Sequence, residues 1–207
     1  MFEGAIAILD WLGIVAFAIT GALVASRNQM DVVGFMLLGA VTGIGGGTIR
    51  ELLLGRPAPW IEHPEQLAAC ILVSVVVFFT AHLAASRLRL ILWVDAMGLA
   101  LVATVGAERA LSLGAAPLTA VVLGVVTATF GGIVRDVLGG ERSIIFSREI
   151  YVTAAATSAG AFVALDAAGL PREAAMSVAL LAGFGLRAGA LARGWSLPRH
   201  RPRPPRG

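Results

Sequence analysis

The chain has 207 residues, of which 57% are hydrophobic and 14% charged, with a mean hydropathy of +0.85, whereas a soluble domain carries about one charged residue in four. That balance excludes a water-soluble globular fold, and the single cysteine, Cys70, excludes an intramolecular disulfide or a cysteine-based metal site. All sixteen basic residues are arginine; with the abundance of alanine and glycine this points to a bacterial source, and the formal charge of +3 matters less than where the arginines lie.

Crossing a hydrocarbon core as a helix takes about 20 mainly apolar residues. Such runs recur seven times, near Ala5–Ala25, Val32–Leu54, Leu67–Ala85, Leu90–Ala107, Leu118–Leu138, Ile150–Leu165 and Ala174–Ala192. The first run holds Asp10 and lacks a basic leader, so it is expected to stay in the mature chain as a span. The expectation is an all-α integral membrane protein: one membrane domain over residues 1–195, followed by a basic, Pro/Arg-rich disordered tail at 196–207. The four prolines of that tail remove backbone donors. Its arginines act as a topology signal or attract anionic headgroups of the surrounding membrane lipids. Arg27, Arg87, Arg89, Arg142, Arg148 and the tail arginines fall on one side, and Arg56, Arg109 and Arg172 on the other. The excess of positive charge marks the cytoplasmic side, which places the N-terminus outside and the C-terminus in the cytoplasm.

Displacing the sequence against itself by 85 residues pairs Asp10 with Asp95, Gly13 with Gly98, Gly21 with Gly106, Gly39 with Gly124 and Thr42 with Thr127, without a gap. The same displacement lays Gly46-Gly47-Thr48-Ile49-Arg50-Glu51 on Gly131-Gly132-Ile133-Val134-Arg135-Asp136. Matching glycines and charges are far less common by chance than matching apolar residues. The chain is therefore read as two three-helix repeats, at about 5–85 and 90–168, with a seventh helix at about 174–192. Three spans is an odd number, so the second repeat enters the membrane from the opposite face. Inverted repeats of this kind belong to transporters and channels, whose solute site lies near the midplane between equivalent helices.

The second helix of each repeat carries the chemistry. Gly39, Gly43 and Gly47, and likewise Gly124, Ala128 and Gly132, recur every fourth residue, a pattern that allows close helix packing. The runs Gly45, Gly46, Gly47 and Gly131, Gly132 exceed that need, because each glycine costs a helix about 1 kcal/mol relative to alanine. They read as a kink or break, which membrane depth tolerates only where protein or a water-filled cavity satisfies the freed backbone. Thr42 and Thr127 precede these glycines and either offer hydroxyls to a passing ion or, more commonly for such residues, bond back to a helix carbonyl.

Charges inside spans default to a functional role with a partner. Arg50 and Arg135 are expected to pair with Asp10, Asp95, Glu51 or Asp136, as structural locks between the repeats or as part of a gate. Glu108-Arg109 reads as a solvated or interfacial pair at a span edge, and His82 as an interfacial histidine. Trp11, Trp60, Trp93 and Trp195 fall near span ends, where an aromatic belt places them. No catalytic set appears: there is no His-Glu-x-x-His, no Ser/His/Asp grouping among three histidines, and no lysine after the glycines for a phosphate loop. An enzyme, a metal site, a cofactor and a nucleic-acid partner are not expected.

The motif Gly-Gly-Gly-Thr-Ile-Arg-Glu, repeated as Gly-Gly-Ile-Val-Arg-Asp, with three spans per copy and a seventh helix, resembles the prokaryotic trimeric intracellular cation (TRIC) channels. The resemblance extends to about Trp195. It implies a homotrimer with a potassium pore inside each protomer, between glycine-kinked second and fifth helices, in a bacterial inner membrane. On this chain it implies kink residues at Gly45, Gly46, Gly47, Gly131 and Gly132, with Arg50 and Arg135 beside the pore and potassium as the permeant ion. Glu51 departs from the aspartate more usual there, which Asp136 keeps. Arginines repel cations, so a potassium pathway needs both neutralised by carboxylates or displaced during gating. The rival reading is a secondary transporter of a small zwitterion such as glycine, with arginine holding the carboxylate and an acidic residue the amine.

Overall fold

In the computed structural model, residues 2–83, 86–140 and 150–197 are described. Arg142, Arg148 and the tail from residue 198 onward, with the expectations attached to them, lie outside the described residues. The order is α1 (Phe2–Arg27), α2 (Val32–Leu53), a short α3 (Pro59–Glu62), α4 (Pro64–Thr80) with a closing 3-10 turn (Ala81–Leu83), α5 (Arg87–Ser112), α6 (Pro117–Leu138), α7 (Val152–Ala167) and α8 (Arg172–Arg193). Six of these helices are long and apolar enough to cross a membrane, and α7 is a shorter apolar helix. The described residues thus form the seven expected spans, with α3 as an added turn between the second and third.

Local chemistry sets the ends. Asp31 Oδ1 accepts the Gly34 amide at 2.8 Å and caps α2, the Ser86 hydroxyl does the same for Arg89 at the start of α5, and α3, α4 and α6 each begin on a proline, whose missing amide donor is harmless in a first turn. Helix α8 stops at Gly194, whose φ of 68° suits a residue without a side chain. The boundary difference that bears on the site is in α5. Hydropathy ends that span at Leu90 and Ala107, but the helix runs from Arg87 to Ser112, carrying Glu108 and Arg109 on its last turns.

The helices pack about a pseudo-twofold axis, and reciprocal contacts trace it. A side chain on Gly13 would strike Val102, and one on Gly98 would strike Phe17; each of these contacts is the other displaced by 85 residues. Likewise, Gly39 packs against Ser74 and Gly124 against Ala159. Helices α1 and α5 pair at the centre, flanked by α2 and α6, which also contact each other. Helix α5 is the most enclosed of the six long spans and α4 the least, which leaves apolar side chains such as Leu72, Phe79 and Leu181 facing outward, as a lipid environment requires.

Candidate functional site: two arginine–carboxylate clusters and a charged cavity

The reciprocal glycines are tightest where α2 crosses α6. A Cβ on Gly46 would run into the Thr127 carbonyl, and a Cβ on Gly131 into the Thr42 carbonyl. Backbone meets backbone at both points, so only glycine fits. Helices α2 and α6 run as continuous α-helix through these residues. The expected interruption at Gly45, Gly46, Gly47, Gly131 and Gly132 is therefore absent as a loss of helical backbone, and the close approach of two helices accounts for Gly46 and Gly131. Thr42 and Thr127 are buried and bond back along their own helices, each hydroxyl donating to the carbonyl four residues earlier, at 2.5 Å to Leu38 and 2.5 Å to Leu123.

At one end of the crossing, Arg135 is 1% exposed and fully engaged. It donates to Asp95 Oδ1 at 2.6 Å, to Asp136 Oδ1 at 2.9 Å and to the Thr20 hydroxyl at 3.0 Å. Thr20 in turn donates to the Phe17 carbonyl, so α1, α5 and α6 are tied together by one guanidinium. Tyr151, at the start of α7, lies over this cluster with its hydroxyl against Gly132. The Arg187 guanidinium from α8 sits 5.3 Å from the centre of the Tyr151 ring, within cation–π range. At the same end the Asn28 amide donates to the Gly139 carbonyl at 2.8 Å.

At the other end the equivalent arginine lines a cavity of about 570 Å³. Arg50 pairs with Glu51 at 3.0 Å, and Glu51 also receives Arg56 at 3.2 Å and Arg109 at 3.5 Å. Arg172 reaches Glu108 at 3.5 Å and Asp166 at 3.2 Å. Asp10 and Glu62 complete the acidic lining. Four arginines thus face four carboxylates, three of the arginines sharing Glu51 and the fourth reaching Glu108. Asp10, the counterpart of Asp95, makes no hydrogen bond or ion pair among the described residues. Below the cavity, between Phe17, Gly46, Gly47, Val102 and Thr127, lies a neck of about 20 Å³, enough for about one water.

A family model described as "Glycine transporter" matches the chain twice, at residues 7–82 and 92–167, two spans displaced by the same 85 residues. An inner membrane protein of Escherichia coli, UPF0126 protein YadS, is 41% identical over 70% of this chain and 72% of its own. A UPF0126 membrane protein of Deinococcus radiodurans is 37% identical over 85% of this chain and 83% of its own. Among solved structures, the TRIC trimeric intracellular cation channel orthologue from Rhodobacter sphaeroides is 57% identical, with a TM-score of 0.91 over 92% of this chain and 99% of that one. A prokaryotic TRIC channel crystallised in 0.5 M KCl is 30% identical, with a TM-score of 0.87 over 95% of this chain and 100% of that one. The chain belongs to the TRIC family. It is a multi-pass membrane protein whose relatives are channels and transporters, not enzymes.

Within this TRIC-family chain the pairs left open by the sequence are Arg135 with Asp95 and Asp136, and Arg50 with Glu51. Three features lie outside the sequence expectation. Glu108 and Arg109, read as a solvated or interfacial pair, both line the cavity, because α5 continues past the end of its apolar run; Arg109 is half-exposed there, but Glu108 is only 4% exposed. Arg187 escapes a reading based on the repeat, although an arginine well inside an apolar span is itself a signal; it is fully buried. Tyr151, the one tyrosine of the chain, aligns with Gln66 at the repeat displacement and escapes it too, because the two residues are unlike.

Proposed function

We propose that the protein is a cation channel, conducting potassium through a path within each protomer that passes between α2 and α6. The observation that carries this reading is the charged cavity that leads from the Arg50 end into the narrow neck beside Gly46 and Thr127. The high similarity to a trimeric cation channel orthologue supports it. Arginine charge need not oppose cation passage here: the four arginines at the Arg50 end are balanced by four carboxylates of the cavity lining, and Arg135 is paired with two aspartates. A neck sized for one water does not pass a hydrated ion, so the conformation is closed at that level and conduction requires α2 and α6 to move apart. Gly46 and Gly131, with no side chains to disengage, suit that movement. The proposed setting is a homotrimer in a bacterial inner membrane, surrounded by lipid, with the N-terminus outside and no cofactor.

The test is planar-bilayer recording of the purified protein in asymmetric potassium chloride. Unitary currents with a reversal potential that follows the potassium gradient are expected, and absence of unitary currents under all voltages would reject a channel. One observation favours a second reading, a carrier for a small zwitterion: the cavity presents arginines and carboxylates in equal number. Saturable uptake of labelled glycine into proteoliposomes, competed by unlabelled glycine, would establish that reading instead.

A further inference from the structure

The pseudo-twofold that relates the two clusters also predicts a second cavity at the Arg135 end, and the side chains occupying that place are informative. Displacement by 85 residues maps Asp10 to Asp95, Arg50 to Arg135 and Gln66 to Tyr151; in the reverse direction it maps Glu108 to Leu23 and Arg109 to Val24. Gln66 lines both the open cavity and the neck. Its counterpart Tyr151 is 2% exposed, and Leu23 and Val24 are equally buried. Among the described residues, the Arg50 end has charged and amide groups around water-accessible space, and the Arg135 end has in their place an aromatic ring and two aliphatic side chains.

Two further contacts hold the ring in place. The Tyr151 hydroxyl rests against Gly132, close enough that a methyl group there would collide with it. The Arg187 guanidinium lies over the ring face, and it comes from α8, which has no counterpart within the repeats. Beneath the ring, Asp95 Oδ2 and the Tyr151 hydroxyl face each other within the buried cluster. The ring thus covers charged groups, Asp95 and Arg135, that water would hydrate if it moved away.

We infer that Tyr151, braced by Arg187, is a plug occupying the counterpart of the open cavity, so that the path is accessible at the Arg50 end and stoppered at the Arg135 end. This rests on the proposed path between α2 and α6, which the pseudo-twofold makes continuous with both clusters. Opening moves the ring off Gly132 and exposes Asp95 and Arg135 to water. Tyr151 thereby determines access, and Arg187 acts through it as a positioning residue.

The test is solvent access, which does not depend on what the protein transports. Thr20→Cys, in a Cys70→Ala background, places a thiol beneath the ring next to Arg135, and a membrane-impermeant thiol reagent is applied from the Arg135 side of proteoliposomes. The thiol is expected to be protected with Tyr151 in place and with Tyr151→Phe, which keeps the ring. It is expected to react in Tyr151→Gln, which installs the residue of the first repeat. Arg187→Met, which keeps most of the side-chain length but loses the charge, should speed labelling by roughly twofold to thirtyfold, the range to which a cation–π contact converts. Gln66→Cys, labelled from the opposite side, should react in every background. Protection of Thr20→Cys that persists in a Tyr151→Gln protein of unchanged size-exclusion profile overturns the plug. Should Tyr151→Gln fail to fold, Gly132→Ala, which displaces the ring from its seat, decides by the same readout. Labelling that opens while bilayers show no cation current supports the plug and rejects the channel.

Discussion

The Arg50 and Arg135 clusters descend from one motif and sit in opposite states. Arg135 is sealed from water, makes three short hydrogen bonds, and joins three helices. Arg50 is also buried, but its carboxylate Glu51 is shared with two half-exposed arginines at the edge of a cavity. The same charges therefore act as a lock at one end and as the lining of a water-accessible vestibule at the other. The difference arises outside the motif. Val105 stands where the displacement would put Thr20, Gln66 stands for Tyr151, and only the second repeat has α8 at its back. The duplicated motif keeps each arginine against the carboxylate that follows it, Arg50 with Glu51 and Arg135 with Asp136, while neighbours outside it decide the remaining partners and whether water reaches them.

The largest expected effect breaks the lock. Asp95→Asn removes the 2.6 Å partner of a buried guanidinium, and stranding such a charge costs about 3–5 kcal/mol, moderated here because Asp136 and Thr20 remain. Asp10→Asn, at the equivalent position in the open cavity, should change stability by under about 1 kcal/mol, the range of charges that water can reach. Thermal unfolding of both variants in detergent checks the contrast. Equal losses would mean that the two ends are not different in kind.

The next effect concerns the crossing that both clusters share. Gly46→Ala and Gly131→Ala each push a methyl group into a backbone carbonyl of the facing helix, and such overpacking costs about 1–3 kcal/mol. Because the two positions are reciprocal, the losses should be similar in unfolding experiments. A large loss at one and none at the other would show that the pseudo-twofold is not maintained at the crossing.

Much of this arrangement is legible in the sequence. Seven apolar runs give the spans to within a few residues, and the 85-residue displacement gives the repeat, because glycines and charges seldom recur at one fixed spacing unless a unit has been duplicated. The arginine–carboxylate groupings follow from the cost of lone charges in a membrane. What is not legible is pairing across helices and the true ends of helices. Hydropathy stops at Glu108, since a charge ends an apolar run, although backbone hydrogen bonding continues to Ser112; the burial of Glu108 in a cavity wall is thereby hidden. Consecutive glycines suggest a broken helix by propensity alone, but propensity does not register a facing backbone at contact distance. The Tyr151–Arg187 contact joins residues on two helices with no shared motif, and nothing local announces it.

A smaller effect, of opposite sign, separates glycines that the crossing needs from one it does not. A Cβ on Gly45 would meet only ordinary contacts, 3.8 Å from the Gly131 Cα and 4.0 Å from Phe130. Gly45→Ala should therefore stabilise α2 by up to about 1 kcal/mol, through helix propensity, where its neighbour Gly46→Ala destabilises. Reduced open probability in Gly45→Ala, with raised thermal stability, would assign Gly45 to bending during opening; unchanged gating would leave Gly46 as the glycine that matters on α2.

The smallest effect on stability falls at the cavity mouth, and it is the one that addresses transport most directly. Arg109 is 42% exposed at its side chain and reaches Glu51 only at 3.5 Å, a geometry worth about 0–1 kcal/mol once side-chain entropy and screening are counted. Arg109→Gln should thus leave the unfolding midpoint nearly unchanged. It also frees part of the Glu51 charge, and removing one positive charge from the lining makes the cavity net acidic. Entering cations then gain local concentration, by an effect that salt screens over about 10 Å at 0.1 M. Potassium current through Arg109→Gln should exceed that of the unsubstituted protein at low ionic strength and converge with it at high salt. The equivalent position at the other end is Val24, where no charge exists to remove, so an increase seen only at the Arg50 end would confirm that the two clusters face water unequally. A current insensitive to salt and to this substitution would place the ion path away from the cavity.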